Sequence, residues 1–441
     1  MGSDSRALTR GMQYFSTNHR SHSADFREAT LGGQPDDSGL FFPERIPQLS
    51  RDFLSAFREM ENPQIAFEVI RPYVGDAINE EDLFAICKET VDFDFPLVQI
   101  TDRISALELF HGPTLAFKDV GARFMSRCLR YFSGNLDRKS VVIVATSGDT
   151  GGAVAAAFKG IEGIEVVILY PSGKVSRVQE LQLTTLGGNV TALEVDGVFD
   201  DCQVLAKRAL ADGEIQSKLF LTSANSINIA RWLPQQFYYF FALKQWDWEP
   251  PVFSVPSGNF GNICAGILAN SSGMPAAGFV AACNANASVP DFIRSGRFSP
   301  RNSVSTLSNA MDVGNPSNFA RILEIFGHEF PQIKERMAAV SISDAKTTEV
   351  MKRVYEETGY VLDPHGAVGY KALEEQLSVH PSERGILLET AHPVKFDSVY
   401  EILGTYGNIP AEVSALLQKK KDSIQIPPDY ETVKEFILSK V

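Results

Sequence analysis

The stretch HGPTLAFKD, residues 111 to 119, places a lysine at the start of an apolar helical pattern. Lys118 heads one helix face, because apolar side chains follow it at spacings of four and three residues. The apolar members of this face are Ala122, Met125, Leu129 and Phe132, and the residues expected on the opposite, solvated side are Arg123, Arg127 and Arg130. A lysine in this position either extends its amine to water or is buried with a lowered pKa. In the second case it can act as a nucleophile and form an imine with a carbonyl.

A glycine-rich loop offers a place for a phosphate. The residues SGNFGN, 257 to 262, follow an apolar run and precede a helical pattern. Converging backbone N–H groups at a helix N-terminus bind anions, and we call these six residues the anion cup. Gly258 and Gly261 are expected to supply unusual backbone dihedrals. The alternative is that these glycines only form a turn after the strand.

Two further loops at strand ends carry hydroxyl and amide side chains. TSGDTGG, residues 146 to 152, could hold a carboxylate, or could simply start a helix with Ser147 or Asp149 as N-cap. SANSINIAR, residues 223 to 231, ends in Arg231, an arginine one helical turn from a polar loop, which suits a phosphate. Taken alone, this second pattern is more often a helix cap followed by a surface arginine.

The segment LLETAHP, residues 387 to 393, ends an apolar run at Thr390, which would face whatever lies over the sheet. His392 could act in acid–base catalysis, but a histidine before proline beside a core is more often structural. The same reservation applies to His111 and His365. The spacing of His, Cys, Asp and Glu predicts no metal site.

The elements that must position these loops form a repeating pattern. Short apolar runs alternate with helical patterns, which predicts parallel sheets covered by helices on both faces. The predicted strands are 140–146, 165–170, 190–195, 219–223, 252–255, 279–283 and 385–391. Active sites of such folds lie at the carboxyl ends of the strands, which is where all of these loops fall.

Length and composition limit the remaining possibilities. The 441 residues favour two or three domains, and 44% hydrophobic with 22% charged residues is ordinary for a globular protein. A formal charge of −13 argues against nucleic acid or an anionic membrane as the partner. Five scattered cysteines suggest buried thiols in a reducing compartment, and no apolar run reaches the length of a membrane span. We expect a cytoplasmic protein, monomeric or homodimeric.

A pyridoxal phosphate enzyme that acts on an anionic amino acid requires a reactive lysine, a phosphate site and further anion-binding loops. Lys118, the anion cup and the two other loops of this sequence fit these requirements. The chain also closely resembles the threonine synthase family, in its longer bacterial and fungal class, over nearly the whole folded part. Six segments carry the resemblance in the right order: ELFHGPTLAFKDVGARFM, TSGDTGGAV, NSINIARWLPQ, VPSGNFGN, TLSNAMDVGNPSN and TAHPVKF.

The resemblance implies the fold type II architecture of pyridoxal phosphate enzymes, with two doubly wound, mostly parallel sheet domains. The expected division is a disordered tail (1–11), an N-terminal domain (12–95), a large cofactor-binding domain (96–145 and 240–400), a smaller substrate-side domain (146–239) and a C-terminal helical segment (401–441).

The resemblance also implies roles for individual residues. Lys118 would be the imine lysine and the acid–base catalyst at the substrate carbons. The cofactor-binding residues would be Lys118, Gly258, Asn259, Phe260, Gly261, Asn262 and Thr390, with the Thr390 hydroxyl on the pyridine nitrogen. The substrate-binding residues would be Ser147, Asp149, Thr150, Asn225, Ser226 and Arg231. Many members of the wider group have asparagine at the position of Asp149, and a carboxylate cannot donate a hydrogen bond to the cofactor hydroxyl.

The implied reaction converts O-phospho-L-homoserine and water to L-threonine and phosphate, with pyridoxal 5′-phosphate as cofactor. One alternative shares the cofactor but releases 2-oxobutyrate, ammonia and phosphate. Cysteine synthases and serine or threonine dehydratases are weaker alternatives, because a small hydroxy-amino acid does not need Arg231. A third possibility is an inactive paralogue that binds a phosphorylated ligand, although Lys118 argues against it.

Overall fold

The computed structural model describes residues 11–134 and 138–440. The predicted disordered tail, apart from Gly11, lies outside these residues. No helix in the two described ranges is long and apolar enough to cross a membrane.

Three sheets contain the strands of the described residues. The strands are β1 (Tyr14–Ser16), β2 (Phe41–Pro43), β3 (Leu97–Gln99), β4 (Ile104–Glu108), β5 (Ser140–Ala145), β6 (Ile164–Pro171), β7 (Val190–Val195), β8 (Phe220–Ser223), β9 (Val252–Pro256), β10 (Gly278–Cys283), β11 (Met337–Ser341), β12 (Gly385–Glu389) and β13 (Ile424–Ile426).

Helices cover both large sheets. Their bounds are α1 (Phe26–Gly32), α2 (Arg51–Ala56), α3 (Asn62–Val74), α4 (Glu80–Thr90), α5 (Lys118–Ser133), α6 (Asp149–Phe158), α7 (Arg177–Thr184), α8 (Phe199–Ala211), α9 (Gly213–Lys218), α10 (Ile229–Trp232), α11 (Phe237–Lys244), α12 (Gly261–Ser271), α13 (Ser288–Ser295), α14 (Phe319–Ile325), α15 (Phe330–Arg336), α16 (Asp344–Thr358), α17 (Pro364–Val379), α18 (Asp397–Leu403), α19 (Ala411–Leu416) and α20 (Tyr430–Leu438).

The larger sheet has six strands in the order β11-β10-β9-β12-β4-β3, parallel except for the antiparallel edge strand β3. The smaller sheet has five parallel strands in the order β13-β7-β6-β5-β8. All six residues of β5 are buried, because alternate side chains pack against helices on opposite faces. The predicted fold class, two mostly parallel α/β sheets, is confirmed.

The strand pairing differs from the predicted division of the chain at two places. The prediction assigns residues up to 145 to the large domain, whereas β5 pairs with β6 and β8 in the smaller sheet. The prediction also makes 401–441 helical, whereas β13 adds a parallel strand beside β7. A three-residue strand at a sheet edge is too short to give a clear sequence pattern. We propose that the smaller domain begins near residue 139 and includes the C-terminal strand.

The N-terminal segment is built on a two-stranded antiparallel sheet of β1 and β2, with helix α1 between the two strands and helices α2, α3 and α4 after them. Helix α1 starts with a capping box, in which Asp25 and Glu28 satisfy each other's backbone N–H groups. Aromatic side chains of this segment join the main core, for example Phe57 against Phe240 at 5.5 Å between ring centroids. The segment therefore packs onto the large domain as part of one core.

Helix α5 begins at Lys118, and the predicted apolar face is buried at Ala122, Met125, Leu129 and Phe132. The prediction for the opposite face is wrong in part. Arg123 donates to the carbonyl oxygen of Glu89 at 3.1 Å through Nε and pairs with Asp92. Arg127 pairs with Glu89 at 3.0 Å. Helix α4 and the residues after it cover this face, a tertiary contact that helix periodicity alone cannot reveal.

Candidate functional site

The loop that precedes Lys118 is attached to the end of strand β12. The backbone N–H of Leu109 donates to the carbonyl oxygen of Glu389 at 2.9 Å, and that of Phe117 donates to Thr390 at 2.8 Å. Within the loop, Leu115 adopts a left-handed conformation with φ 58°, which is unfavourable for a side chain with a Cβ. These contacts fix the start of α5 beside Thr390, as expected for residues at strand carboxyl ends.

The amine of Lys118 is largely withdrawn from solvent, with 16% of the side chain exposed. Its Nζ lies 3.6 Å from Asp149 Oδ2, which is longer than a hydrogen bond. Burial lowers the pKa of Lys118, Asp149 opposes this effect, and the charges of Lys395 and Arg231 reinforce it. A lysine with a lowered pKa has a larger neutral fraction and is a better nucleophile and base.

Asp149 is the first residue of α6, and its side chain points into the site. The prediction that Ser147 or Asp149 caps this helix is wrong: Gly148 is the N-cap, with φ 137°, and Thr146 Oγ1 accepts from the N–H of Gly151 at 2.8 Å. Asp149 Oδ1 instead accepts from Lys395 at 2.8 Å and from Gln179 at 2.9 Å.

Asp149 is ionised in this environment. Burial opposes its ionisation, but the charges of Lys395 and Lys118, with the hydrogen bonds from Lys395 and Gln179, hold its pKa below the usual range. It therefore acts as a hydrogen-bond acceptor and a counter-ion. Ser147 and Thr150, the other two residues predicted for this loop, are half-buried on either side of it.

The anion cup joins β9 to α12, as predicted, but its unusual dihedral lies at another residue. Phe260, the N-cap of α12, has φ 62°, whereas Gly258 and Gly261 are not in the left-handed region. Gly258 is required for a different reason. A Cβ there would lie 2.6 Å from Met311 Cα and 2.9 Å from the carbonyl oxygen of Ala310. The glycine thus permits two backbone segments to approach each other.

Two buried side-chain amides, one in the cup and one next to it, have N–H groups that donate to no other residue. Within the described residues, Asn262 Nδ2 and Asn318 Nδ2 have no hydrogen-bond partner. Their oxygens are used, since Tyr239 donates to Asn262 Oδ1 at 3.0 Å and Arg321 donates to Asn318 Oδ1 at 2.7 Å. Buried amide donors are almost always paired, so an anion in the cup is the partner that these two groups fit.

Asn318 has no role in the sequence-based account. It belongs to the segment TLSNAMDVGNPSN, which carries family resemblance but has no spacing that indicates chemistry. Asn318 Nδ2 lies 3.4 Å from the position of a Cβ on Gly261. Its backbone N–H donates to the carbonyl oxygen of Asn259 in the cup at 3.3 Å, and that of Ser317 donates to Asn259 Oδ1 at 2.6 Å, so contacts between distant segments bring Asn318 to the cup.

Arg231 lies in α10 and is buried, with 3% exposure, so the interpretation of a surface arginine is wrong. Its guanidinium donates to the carbonyl oxygen of Ala224, and within the described residues its Nε has no partner. Burial lowers its pKa to about 10, so it keeps its charge at neutral pH. Gly121 of α5 permits this position, because a Cβ there would lie 2.6 Å from the Arg231 carbonyl oxygen.

The loop before α10 meets the anion cup directly. Asn259 Nδ2 donates to Ser226 Oγ at 2.6 Å, which leaves the hydroxyl hydrogen of Ser226 available. Asn225 Nδ2 donates to the carbonyl oxygen of Ala145 at 3.3 Å, at the end of β5. The structure therefore brings Asn225, Ser226 and Arg231 into one neighbourhood with the cup and the start of α5.

The histidines make local contacts that do not suggest catalysis. His365 Nδ1 lies 2.6 Å from Asp363 Oδ2, and its Nε2 accepts from the N–H of Ala310 at 3.2 Å. His392 Nδ1 accepts from the N–H of Val394 at 3.1 Å, and burial lowers the pKa of His392 to about 4. His111 pairs with Glu108 at 2.7 Å.

Three family descriptions match the chain in sequence order. Residues 13–91 match the threonine synthase N terminus, residues 100–388 match pyridoxal-phosphate dependent enzymes, and residues 366–437 match the threonine synthase C-terminal region. The second match contains Lys118, the anion cup and Arg231.

Threonine synthases of several organisms are similar over their full length. That of Escherichia coli (strain K12) is 40% identical, covering 97% of this chain and 100% of the relative. Its crystal structure superposes with a TM-score of 0.91, covering 98% of this chain and 100% of that chain. A PLP-bound threonine synthase from Brucella melitensis is 34% identical with a TM-score of 0.91, covering 97% of this chain and 99% of that one.

Proposed function

The chain belongs to the threonine synthase family, and on that premise we propose a role in the reaction for each residue of the site. Its function is the conversion of O-phospho-L-homoserine and water to L-threonine and phosphate, as a pyridoxal-phosphate-dependent lyase. Family membership does not favour the two alternatives, the 2-oxobutyrate-forming phospho-lyase and the inactive binding paralogue.

The residues of the site fit pyridoxal phosphate at both its phosphate and its aldehyde. The unpartnered donors of Asn262 and Asn318, beside the N-terminus of α12, suit the cofactor phosphate. The withdrawn amine of Lys118 suits covalent attachment of the cofactor aldehyde. Thr390, buried at the end of β12, is the proposed partner of the pyridine nitrogen.

When bound, pyridoxal phosphate supplies an electron sink for carbanionic character at the substrate carbons. Lys118 is the proposed base and acid that moves protons at Cα and Cβ of the substrate. Its lowered pKa increases the fraction of neutral amine that can accept a proton, and the ammonium form can return it. The observation that carries this assignment is an amine held 3.6 Å from Asp149, without the short ion pair that would keep it protonated.

The two ends of the substrate meet different loops in this proposal. In the loop that contains Ser147, Asp149 and Thr150, the N-terminus of α6 receives the substrate carboxylate, with Thr150 nearer the phosphate, while the Asp149 charge stays paired with Lys395 at 2.8 Å. Arg231 binds and stabilises the departing phosphate, with help from Asn225 and Ser226. A fully charged guanidinium with a free Nε is suited to this task.

Product analysis tests the function. The protein is mixed with pyridoxal phosphate and O-phospho-L-homoserine, and threonine, 2-oxobutyrate and inorganic phosphate are quantified against a reaction without cofactor. Equal amounts of threonine and phosphate are expected. Phosphate with an equal amount of 2-oxobutyrate would move the function to a phospho-lyase, and absence of any product would overturn the assignment.

We also propose a reducing, cytoplasmic location. It is supported by the five cysteines, which are all buried and unpaired among the described residues.

A further inference from the structure

A second lysine lies in the same site as Lys118. Lys395 ends the turn that follows Thr390, and its side chain is completely buried. Its Nζ donates to the carbonyl oxygen of Thr114 at 2.6 Å and to Asp149 Oδ1 at 2.8 Å. A buried ammonium group requires such partners, because removal from water strongly disfavours its charge.

The two oxygens of Asp149 have different neighbours. Oδ1 accepts from Lys395 and from Gln179, at 2.8 and 2.9 Å. Oδ2 faces Lys118 at 3.6 Å, beyond hydrogen-bonding distance. The carboxylate is therefore held by Lys395 and only approached by Lys118.

Lys395 also fixes the loop that leads to Lys118. The carbonyl oxygen of Thr114 accepts from Lys395 and from Gln182, the latter at 3.1 Å. The Thr114 N–H donates to Asp119 Oδ2 at 2.9 Å, and its hydroxyl donates to Asp119 Oδ1 at 2.5 Å. One ammonium group thus joins the loop before α5, the start of α6 in the smaller domain, and the segment after β12.

We propose that Lys395 is a positioning residue that holds the Asp149 carboxylate as its own partner, so that the Lys118 amine stays free to react. The inference deepens the proposed function and rests on the assignment of Lys118 as the reactive amine.

The charged groups that face Lys118 make the consequence specific. Asp149 of α6 raises the pKa of Lys118, whereas burial, Lys395 and Arg231 of α10 lower it. Without Lys395, Asp149 would keep only the neutral donor Gln179 and the nearby Lys118 amine, so that amine would hold its proton to a higher pH. Neutral side chains at both positions would remove the two opposing effects together.

The test measures covalent uptake of pyridoxal phosphate by the full-length, cofactor-free protein across a pH series. Uptake is fixed by borohydride and followed by intact mass and peptide mapping. The cofactor's own titration is common to all variants and cancels in the comparison. For Lys395→Met, we expect the pH midpoint of the uptake rate to rise by about one unit, the size of effect that a close opposite charge produces.

Lys395→Gln provides a second variant, because its amide can still donate to Asp149 or Thr114 while lacking the charge. It should show the same upward shift with a smaller loss of thermal stability. The double variant Lys395→Met with Asp149→Asn should return the midpoint towards that of the unmodified protein. The control is Lys244→Met, which removes a half-buried lysine that donates to the carbonyl oxygen of Met60; it should leave the midpoint unchanged.

An unchanged midpoint in Lys395→Gln or Lys395→Met, with only a lower melting temperature, would overturn the proposal and leave Lys395 as a structural ion pair. Failure of the double variant to reverse the shift would also overturn it. If the unmodified protein takes up no cofactor at Lys118, the proposed function itself fails, which this measurement distinguishes from failure at Lys395.

Discussion

The region around Lys118 and the anion cup differ in how their buried polar groups are satisfied. Around Lys118, full charges are buried and matched to one another, with Lys395 and Asp149 forming a pair at 2.8 Å. At the cup, the buried groups are neutral amides. The Nδ2 atoms of Asn262 in the cup and of Asn318 next to it have no partner among the described residues.

This difference indicates which region depends on the cofactor. The Lys395–Asp149 pair beside Lys118 is complete in the protein alone, so it can hold the reactive amine ready before anything binds, whereas Arg231 Nε has no partner among the described residues. The cup is incomplete until an anion satisfies its donors, since buried donors without partners are costly. We therefore expect cofactor affinity to depend mainly on the cup, and reactivity mainly on the charged region.

The largest effect is expected from Lys118→Ala. General acid–base catalysis alone contributes about 10²–10⁴-fold, so threonine formation should fall by about 10³-fold or more. The cup is untouched, so the variant should still bind pyridoxal phosphate non-covalently, as measured by equilibrium dialysis. Loss of all binding would contradict the separation between the two regions.

The next largest effect is expected from Asp149→Asn, which should lower the stability of the protein because it removes the negative charge that pairs with Lys395. Loss of one member of a buried ion pair costs about 3–5 kcal/mol, and we expect the free energy of unfolding at pH 7 to fall by that order. The pKa of Asp149 is lowered on folding, so its contribution is present above about pH 4 and is lost as the pH falls further.

Urea unfolding at pH 7 and below about pH 4 measures this effect, and the gap between variant and unmodified protein should narrow at the lower pH. Asp92→Asn is the matched control, because Asp92 pairs with Arg123 at 2.6 Å and 56% of its side chain is exposed. It should cost much less. Equal losses in the two variants would contradict the account.

Asn262→Asp tests the cup. It keeps the oxygen that accepts from Tyr239, but it replaces a free donor with a negative charge. Hydrogen bonds to charged groups contribute about 1.5–3 kcal/mol, so the affinity for pyridoxal phosphate should fall at least 10- to 100-fold. Spectroscopic titration measures this affinity, with the remote helix cap Asn79→Asp as control. Unchanged affinity would show that the donor does not face the phosphate.

Gly258→Ala should have the smallest effect of the four. Its Cβ would overlap the backbone at Met311 and Ala310, and overpacking of this kind costs about 1–3 kcal/mol. Cofactor affinity should fall about 10-fold as the cup opens. Gly278→Ala, whose Cβ would lie 3.7 Å from the carbonyl oxygen of Arg336, should retain normal affinity. A similar loss in both variants would show that the effect is not specific to the cup.

The sequence predicted much of this framework, for identifiable reasons. Continuous β-branched runs predicted β5, β6, β7 and β9 to within two residues at each end, because strands buried on both faces must be apolar throughout. The helical face headed by Lys118 was equally clear. In the two larger sheets, strands β3, β4, β11 and β13 were missed. Three of them lie at sheet edges, whereas β4 is an interior strand whose five residues, ISALE, include Ser105 and Glu108 and so form no continuous apolar run.

The parts of the site that were missed depend on contacts between distant segments. Lys395 appears in the sequence as a lysine after a proline turn, and only the meeting of three segments makes it the partner of Asp149. Asn318 reaches the cup through hydrogen bonds from the backbone of residues 317 and 318 to Asn259, a contact across 58 residues of sequence. The left-handed conformation falls on Phe260, a residue type that gives no such signal.

The assignment of Lys118 as the reactive amine is tested most directly by identifying which of the two lysines, Lys118 or Lys395, carries the cofactor. The protein is loaded with pyridoxal phosphate, reduced with borohydride, digested, and the modified peptide is identified by mass spectrometry. We expect modification at Lys118, because Lys395 is already paired with Asp149 and donates to the carbonyl oxygen of Thr114. Modification at Lys395, or equal modification of both lysines, would contradict it.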